Sequence, residues 1–192
     1  ADLETDIRSR VPFLDDLRIP MANTFGPTTI EAGWKVVVDN YVECYHCATA
    51  HRAYAKSHTL KEPYENVKAL NEAMLARAED QTGVAGVATK VNQVFNDNPH
   101  HGGGAYTSRY ALYDGYLTGS QDGQPVAPLM GEYKGYDGGA GDYQIGPLSS
   151  MLNYPDHCVL YRFTPRSLTE TDMEIVWFVR GDAAEGKDYD VD

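Results

Sequence analysis

Between residues 148 and 180 the chain carries three strand-like runs in close succession, and nothing else in it constrains the fold as much. Leu148–Asn153, His157–Phe163 and Asp172–Arg180 are rich in β-branched, aromatic and long apolar residues. Pro155-Asp156 and Pro165–Thr171 separate them with turn-forming sequence. A parallel crossover needs about a dozen residues or more between strands, so these short connections predict an antiparallel meander.

The upstream segments read less sharply. Residues 1–29 look like an irregular lead-in, with Pro12, Pro20, Gly26 and Pro27 as breakers. Ile30–Val38 (IEAGWKVVV) reads as a strand ending at Asp39-Asn40, followed directly by a helix over Tyr41–Tyr54, a stretch without Gly or Pro. Pro63 suits the first turn of a second helix over 63–80, with Val67, Leu70, Met74 and Ala78 on one buried stripe. Residues 81–105 read as a long loop with a short helix near 88–95, and 106–118 as a strand. Residues 119–146, with eight glycines, read as loop. Strand, helices, loops and then a meander is an α+β order; the βαβ alternation of a Rossmann-type sheet is missing.

The 192 residues are 42% hydrophobic and 23% charged, enough to bury a core without disulfide staples. Lys plus Arg is 16 against 28 Asp plus Glu, a net charge of −12. That balance argues against nucleic acid and against anionic lipid, and is compatible with cationic small molecules. No apolar run approaches the roughly 18 residues of a membrane-spanning helix. The opening ADLETDIRSR does not read as a signal peptide, and it lacks an initiator Met, as a piece of a longer chain would. Cys44, Cys47 and Cys158 make no disulfide framework, which points to a reducing, cytoplasmic setting. Tyrosine is unusually common at 14 residues. The rings are either ordinary strand residues or the lining of an aromatic pocket with polar tips.

Chemistry concentrates in Asp39–His51, DNYVECYHCATAH, with two histidines, two cysteines and two carboxylates. Such density suggests a metal site. The C-x-x-C of Cys44 and Cys47 lacks the second pair of a structural zinc site, the second C-x-x-H of a Rieske cluster and the βαβ context of a redox pair, and reads as small packing residues. A zinc site from Cys44, His46, Cys47 and His51 would need four ligands from one helical stretch, which is sterically hard. His46 and His51 are five apart, about 140° around an ideal helix. That step suits one ligand within a helix and one where the helix ends or bulges. Glu43, three before His46, lies on its face and could hydrogen-bond a ligand histidine of its own or of a neighbouring subunit. The plainer alternative is two ordinary histidines and a solvated glutamate.

Trp34, Lys35, Asp39, Asn40, Tyr41, Glu43, Tyr45, His46 and His51 form W-K-x-x-x-[DN]-N-[YF]-x-E-x-Y-H-x4-H. This resembles the catalytic-domain signature of Rieske-type non-haem iron oxygenases. The stretch LNYPDHCVLYRFTPRSLTETDMEIVWFV, residues 152–179, is similar to that family's sheet region. The resemblance implies a helix-grip fold (START/Bet v 1-like), an antiparallel sheet with helices. It implies His46 and His51 as two ligands of a mononuclear Fe(II), completed by a carboxylate. It implies Glu43 as the carboxylate bridging that iron to a Rieske [2Fe–2S] cluster on the neighbouring subunit. Residues 1–192 would then be the catalytic domain, with the Rieske domain before residue 1 and the third ligand on a helix after residue 192. Asp156 is the internal carboxylate to watch as a substitute ligand. The partners implied are O2, a small organic substrate, a flavin/iron–sulfur reductase and two further copies in a homotrimer.

The E-C-Y-H-C stretch resembles the branch acting on betaine-type quaternary amines such as glycine betaine, proline betaine, carnitine and choline, where hydroxylating an N-methyl group releases formaldehyde. Dihydroxylation of an aromatic ring by the same chemistry is the alternative. A metal-free ligand-binding domain of similar fold is another. A quaternary ammonium favours aromatic faces. Tyr106, Tyr110, Tyr113, Tyr154 and Tyr161 are the pool for such a pocket, with Tyr110, Tyr154 and Asp156 taken as the substrate-binding set. His100-His101 read as part of an exposed loop, and His58 and His157 as non-ligand histidines.

Overall fold

A computed structural model describes residues 17–18, 24–59, 63–82, 92–95, 104–131 and 133–190. Along the chain run strands β1 (Leu17–Arg18) and β2 (Thr24–Ile30), then helices α1 (Trp34–Val42), α2 (Cys47–Ala50), α3 (Tyr54–Ser57) and α4 (Tyr64–Thr82). Strands β3 (Asn92–Phe95), β4 (Gly104–Ala111), β5 (Gly139–Ile145), β6 (Ser149–Asn153), β7 (His157–Pro165) and β8 (Thr171–Arg180) follow. They form one sheet in the order β1-β8-β7-β6-β5-β4-β3, and β2 also pairs with β8. Every pairing is antiparallel. The architecture is the expected α+β helix-grip class, and the meander from β6 to β8 matches the three C-terminal runs to within two residues at each end.

Four expectations need correction. Ile30–Val38 is not a strand: β2 ends at Ile30 and α1 starts at Trp34. The β-branched run misled because its burial is helical. Val37 and Val38 are buried beside Trp34 and Tyr41, while Val36 is exposed. The lead-in contains β2 despite Gly26 and Pro27. The register with β8 shifts between Phe25 and Thr28, so Pro27 occupies a bulge on an outer strand, where a missing N–H costs little. Asn92–Phe95 is a strand paired with Gly104–Thr107, not part of a helix. The glycine-rich stretch read as loop contains β5. A Cβ on Gly139 would lie 2.5 Å from Met74 Sδ and 2.6 Å from Arg109 Nη2. This glycine therefore serves close packing inside the sheet rather than a turn. His100-His101 lie outside the described residues.

Strand alternation gives the sheet two distinct faces. On one, Phe163, Tyr161 and Met173 pack with Val37, Val38, Trp34 and Tyr41, which seats α1 on the sheet. On the other, Tyr143, Met151 and Cys158 pack with Met130 and Tyr133 from the segment preceding β5. Helix α4 buries Val67, Met74 and Ala78, the predicted stripe. It is tied down by Arg77, which donates to the Asp137 carbonyl, and by Asn71, whose side chain accepts the Ala111 N–H at 2.7 Å. Among the described residues, no helix is long and apolar enough to cross a membrane.

Gly139→Ala should lower stability by about 1–3 kcal/mol through overpacking against Met74 and Arg109. The measurement is the shift in urea midpoint. An unchanged midpoint would show that α4 can move aside freely.

Candidate functional site

Helix α1 stops at Glu43, inside the segment read as one continuous helix. Glu43 is extended (φ −87°, ψ 132°), while its N–H still bonds the Asp39 carbonyl at 3.1 Å. Helical geometry resumes at His46 (φ −79°, ψ −18°), which precedes the single turn of α2, and His51 (φ −115°, ψ 63°) ends that turn. The two histidines thus flank a helical turn instead of sharing a long helix. Their rings meet edge to face, with centroids 5.2 Å apart.

Two local links span the break. Glu43 Oε1 and His46 Nδ1 are 2.6 Å apart. A carboxylate only accepts, so Nδ1 carries a proton, and in the neutral ring that leaves the lone pair on Nε2. Cys44 and Cys47 are joined as a disulfide, with Cα atoms 5.1 Å apart, within ordinary bridging reach. That pairing corrects the reading of these two as separate packing residues and removes the cysteine argument for a reducing, cytoplasmic setting; Cys158 remains a free, buried thiol. The other oxygen of Glu43, Oε2, is buried and has no hydrogen-bond partner among the described residues.

His46 and His51 open onto a cavity of about 1180 Å³. One wall is the sheet face that carries Ser108, Tyr110, Asp142, Leu152, Tyr161 and Phe163. The register explains the set, because Ser108, Asp142 and Leu152 are direct cross-strand neighbours on β4, β5 and β6. The opposite wall is helical, with Val37 and Tyr41 of α1 and Tyr54 of α3. The hydroxyls of Tyr54 and Tyr110 meet at 3.0 Å across it.

The cavity is electrostatically uneven. Burial pushes the Asp142 carboxyl up to about 6, and no hydrogen bond or ion pair to it is found among the described residues. Burial, with Asp142 contributing in each case, raises the phenols of Tyr41, Tyr54, Tyr110 and Tyr161, so all four stay neutral hydroxyls. No three His, Cys, Asp or Glu side chains converge in a metal-holding group among the described residues, so Asp142 does not complete a triad with the two histidines.

The proposed site residues thus separate. His46, His51 and Tyr110 come together around the cavity, and Glu43 touches His46 without lining it. Tyr154 and Asp156 are not among its lining residues. Tyr154 is buried, and its hydroxyl donates to His58 Nε2 at 2.8 Å. That donation follows because His58 Nδ1 faces the Tyr54 carbonyl at 2.9 Å and must carry the ring proton. Burial pushes His58 down to about 4, consistent with a neutral ring. Asp156 is fully buried. Its Oδ1 accepts from Thr118 Oγ1 at 2.6 Å and lies 2.9 Å from His157 Nδ1, and its Oδ2 accepts the Val126 N–H. Burial raises this carboxyl, but those partners outweigh it and leave Asp156 below the usual carboxylate range. Residues 154–157 therefore form a buried knot beside the cavity. Sequence reasoning missed Asp142, Tyr41 and Tyr54 as cavity residues. Tyr41 stands within the signature itself, whereas Asp142 was hidden by reading its glycine-flanked strand as loop.

A pair of histidines thus flanks a break in the helical wall of a sheet-lined cavity. The chain matches the family of the ring hydroxylating alpha subunit (catalytic domain) over residues 14–191, and it belongs to that family. The glycine betaine monooxygenase oxygenase subunit of Pseudomonas aeruginosa is 33% identical over 170 residues, covering 85% of this chain and 38% of that protein. The chain thus spans about two fifths of the length of such relatives. The carnitine monooxygenase oxygenase subunit of Acinetobacter baumannii is 60% identical over 30 residues, 16% of this chain and 8% of that protein. Among solved structures, an inhibitor complex of a quaternary ammonium Rieske monooxygenase aligns with a TM-score of 0.49 and 15% identity, covering 92% of this chain and 34% of that one.

The raised Asp142 pKa carries a definite sign. Between the usual 3.8 and about 6 the folded chain binds more protons than the unfolded one, so Asp142 costs stability progressively as pH rises through that window. Asp142→Asn should therefore stabilise the fold by about 2–3 kcal/mol above pH ~7 and by little at pH ~4. Urea denaturation followed by Trp34 and Trp177 fluorescence at the two pH values checks this. Equal effects at both would show that Asp142 is well solvated.

Proposed function

We propose that the protein containing this chain is a Rieske-type oxygenase subunit that hydroxylates an N-methyl group of a betaine-type quaternary amine, with glycine betaine the first substrate to test. The observation that carries the reading is the meeting of His46 and His51, 5.2 Å between ring centroids, at the mouth of a tyrosine-lined cavity. Imidazoles that share one ion hold their ring centres roughly 5 Å apart, so the pair fits two positions of a 2-His-1-carboxylate iron site. His46 fits further because Glu43 holds its Nδ1 proton and leaves Nε2 as a donor. Iron bound there would supply O2 activation.

The chain's own residues bind and orient. Tyr41, Tyr54, Tyr110 and Tyr161 offer aromatic faces to an ammonium head and, with Phe163, limit water. Glu43 fixes the His46 tautomer. The Glu43–His46 contact supports the bridging role, and with it a homotrimer in which a Rieske [2Fe–2S] cluster of one subunit faces the iron of the next. On this reading the third ligand, a carboxylate, comes from a helix after residue 192 and the Rieske domain precedes residue 1. A flavin/iron–sulfur reductase delivers the electrons. The 38% coverage of the glycine betaine enzyme leaves room for both missing parts.

Metal analysis of the full-length subunit tests the reading. The parent should hold iron beyond its cluster iron and release formaldehyde from glycine betaine. A His46→Ala, His51→Ala double variant should lose that iron fraction, keep the cluster and fall to background formaldehyde. Equal metal in both proteins would make the histidines structural and the domain a binding module.

A further inference from the structure

Asp142 is the one carboxylate among the described cavity-lining residues. It projects from the middle of β5, between Ser108 and Leu152 on the neighbouring strands. Around it stand four phenols, Tyr110 and Tyr161 from the sheet and Tyr41 and Tyr54 from the helical wall, all near enough for its charge to act on them. Phenols neither neutralise a carboxylate nor compete for a cation; they present ring faces and hydroxyls. Arg52 also lines the cavity, beside His51 on the helical wall, and makes no ion pair with Asp142. The strand pair carries a contrasting case. Asp137, buried on the α4 side, is gripped by Arg109 at 2.7 and 2.9 Å. A partly buried carboxylate without such a partner costs stability and is kept where something else gains from it.

Resting on the quaternary-amine reading above, we propose that Asp142 is the anionic counter-group for the ammonium head of the substrate, and that it makes the cavity prefer cations over uncharged molecules of the same shape. The tyrosine ring faces alone accept either a trimethylammonium or a tert-butyl group by shape. The carboxylate separates them, because only the cation compensates its lost hydration. A head held by Asp142 would lie in the same cavity as His46 and His51, with its methyl groups turned toward the two histidines.

The test uses two probes of one shape, choline and its uncharged carbon analogue 3,3-dimethylbutan-1-ol. Calorimetry on the full-length subunit needs no turnover. The parent should bind choline the tighter of the two. Asp142→Asn should weaken choline by roughly tenfold or more and leave the alcohol within about twofold, whereas Asp142→Glu should recover part of the choline affinity. Asp142→Ser serves as a second uncharged variant if the first does not fold. If the parent prefers choline and the uncharged variants prefer it equally, the Asp142 assignment falls while the quaternary-amine reading stands. If the parent binds the two probes alike, or neither, both fall.

Discussion

The candidate site depends on the chain leaving helical geometry at Glu43. In an unbroken helix His46 and His51 would point about 140° apart and could not share an ion. The break costs backbone hydrogen bonds, and the structure restores them within a few residues. Glu43 N–H still reaches Asp39, Cys47 N–H reaches Cys44, and the N–H of Ala50 and the hydroxyl of Thr49 both reach the His46 carbonyl. The Glu43 carboxylate then does double service, spanning the break and setting the tautomer of His46. Residues that shape the backbone here are the same ones that set the tautomer of the proposed ligand His46.

The sheet supplies the other half of the site by simple alternation. Residues 108, 110, 142, 152, 161 and 163 share a face because neighbouring strands are in register, not because they are near in sequence. Their opposite-facing neighbours, such as Tyr143 and Met151, pack a separate apolar cluster. One pair of strands therefore separates two kinds of work. Asp137, paired with Arg109, holds Arg77 of α4 by its carbonyl, and Asp142, without an ion pair among the described residues, gives the cavity a negative pole. The network around His58, Tyr154 and Asp156 stiffens the end of the sheet next to this cavity. Its hydrogen bonds are satisfied internally, which is why Tyr154 and Asp156 are spent on structure.

Where local pattern and tertiary packing agreed, the elements were legible. Helix α4 and strands β6 to β8 carry their period openly, with Val67, Met74 and Ala78 on one stripe and short Pro-containing turns between the strands. Where they disagreed, packing won. Val36, Val37 and Val38 favour a strand by propensity, but the groove above Phe163 takes two adjacent valines and Tyr41, which only a helix can offer together. Gly139 and Gly141 look like turn residues, yet they lie in a strand crowded by Met74, Arg109 and Tyr143. Reading that strand as a loop concealed Asp142.

By itself the sequence determined the chemistry on offer: a Glu-x-x-His-x4-His segment, an excess of acid, abundant tyrosine and an antiparallel C-terminal meander. These follow from residue identity and short-range spacing, which a chain carries without folding. The tertiary structure alone decided which of those groups meet. It broke the helix between the metal-binding candidates, joined Cys44 to Cys47, drew Tyr154 and Asp156 into a buried knot and set Asp142 among four tyrosines. The physical reason is that burial and cross-strand register are properties of residues far apart in sequence, so no local pattern encodes the side chain that faces a cavity until the strands have paired.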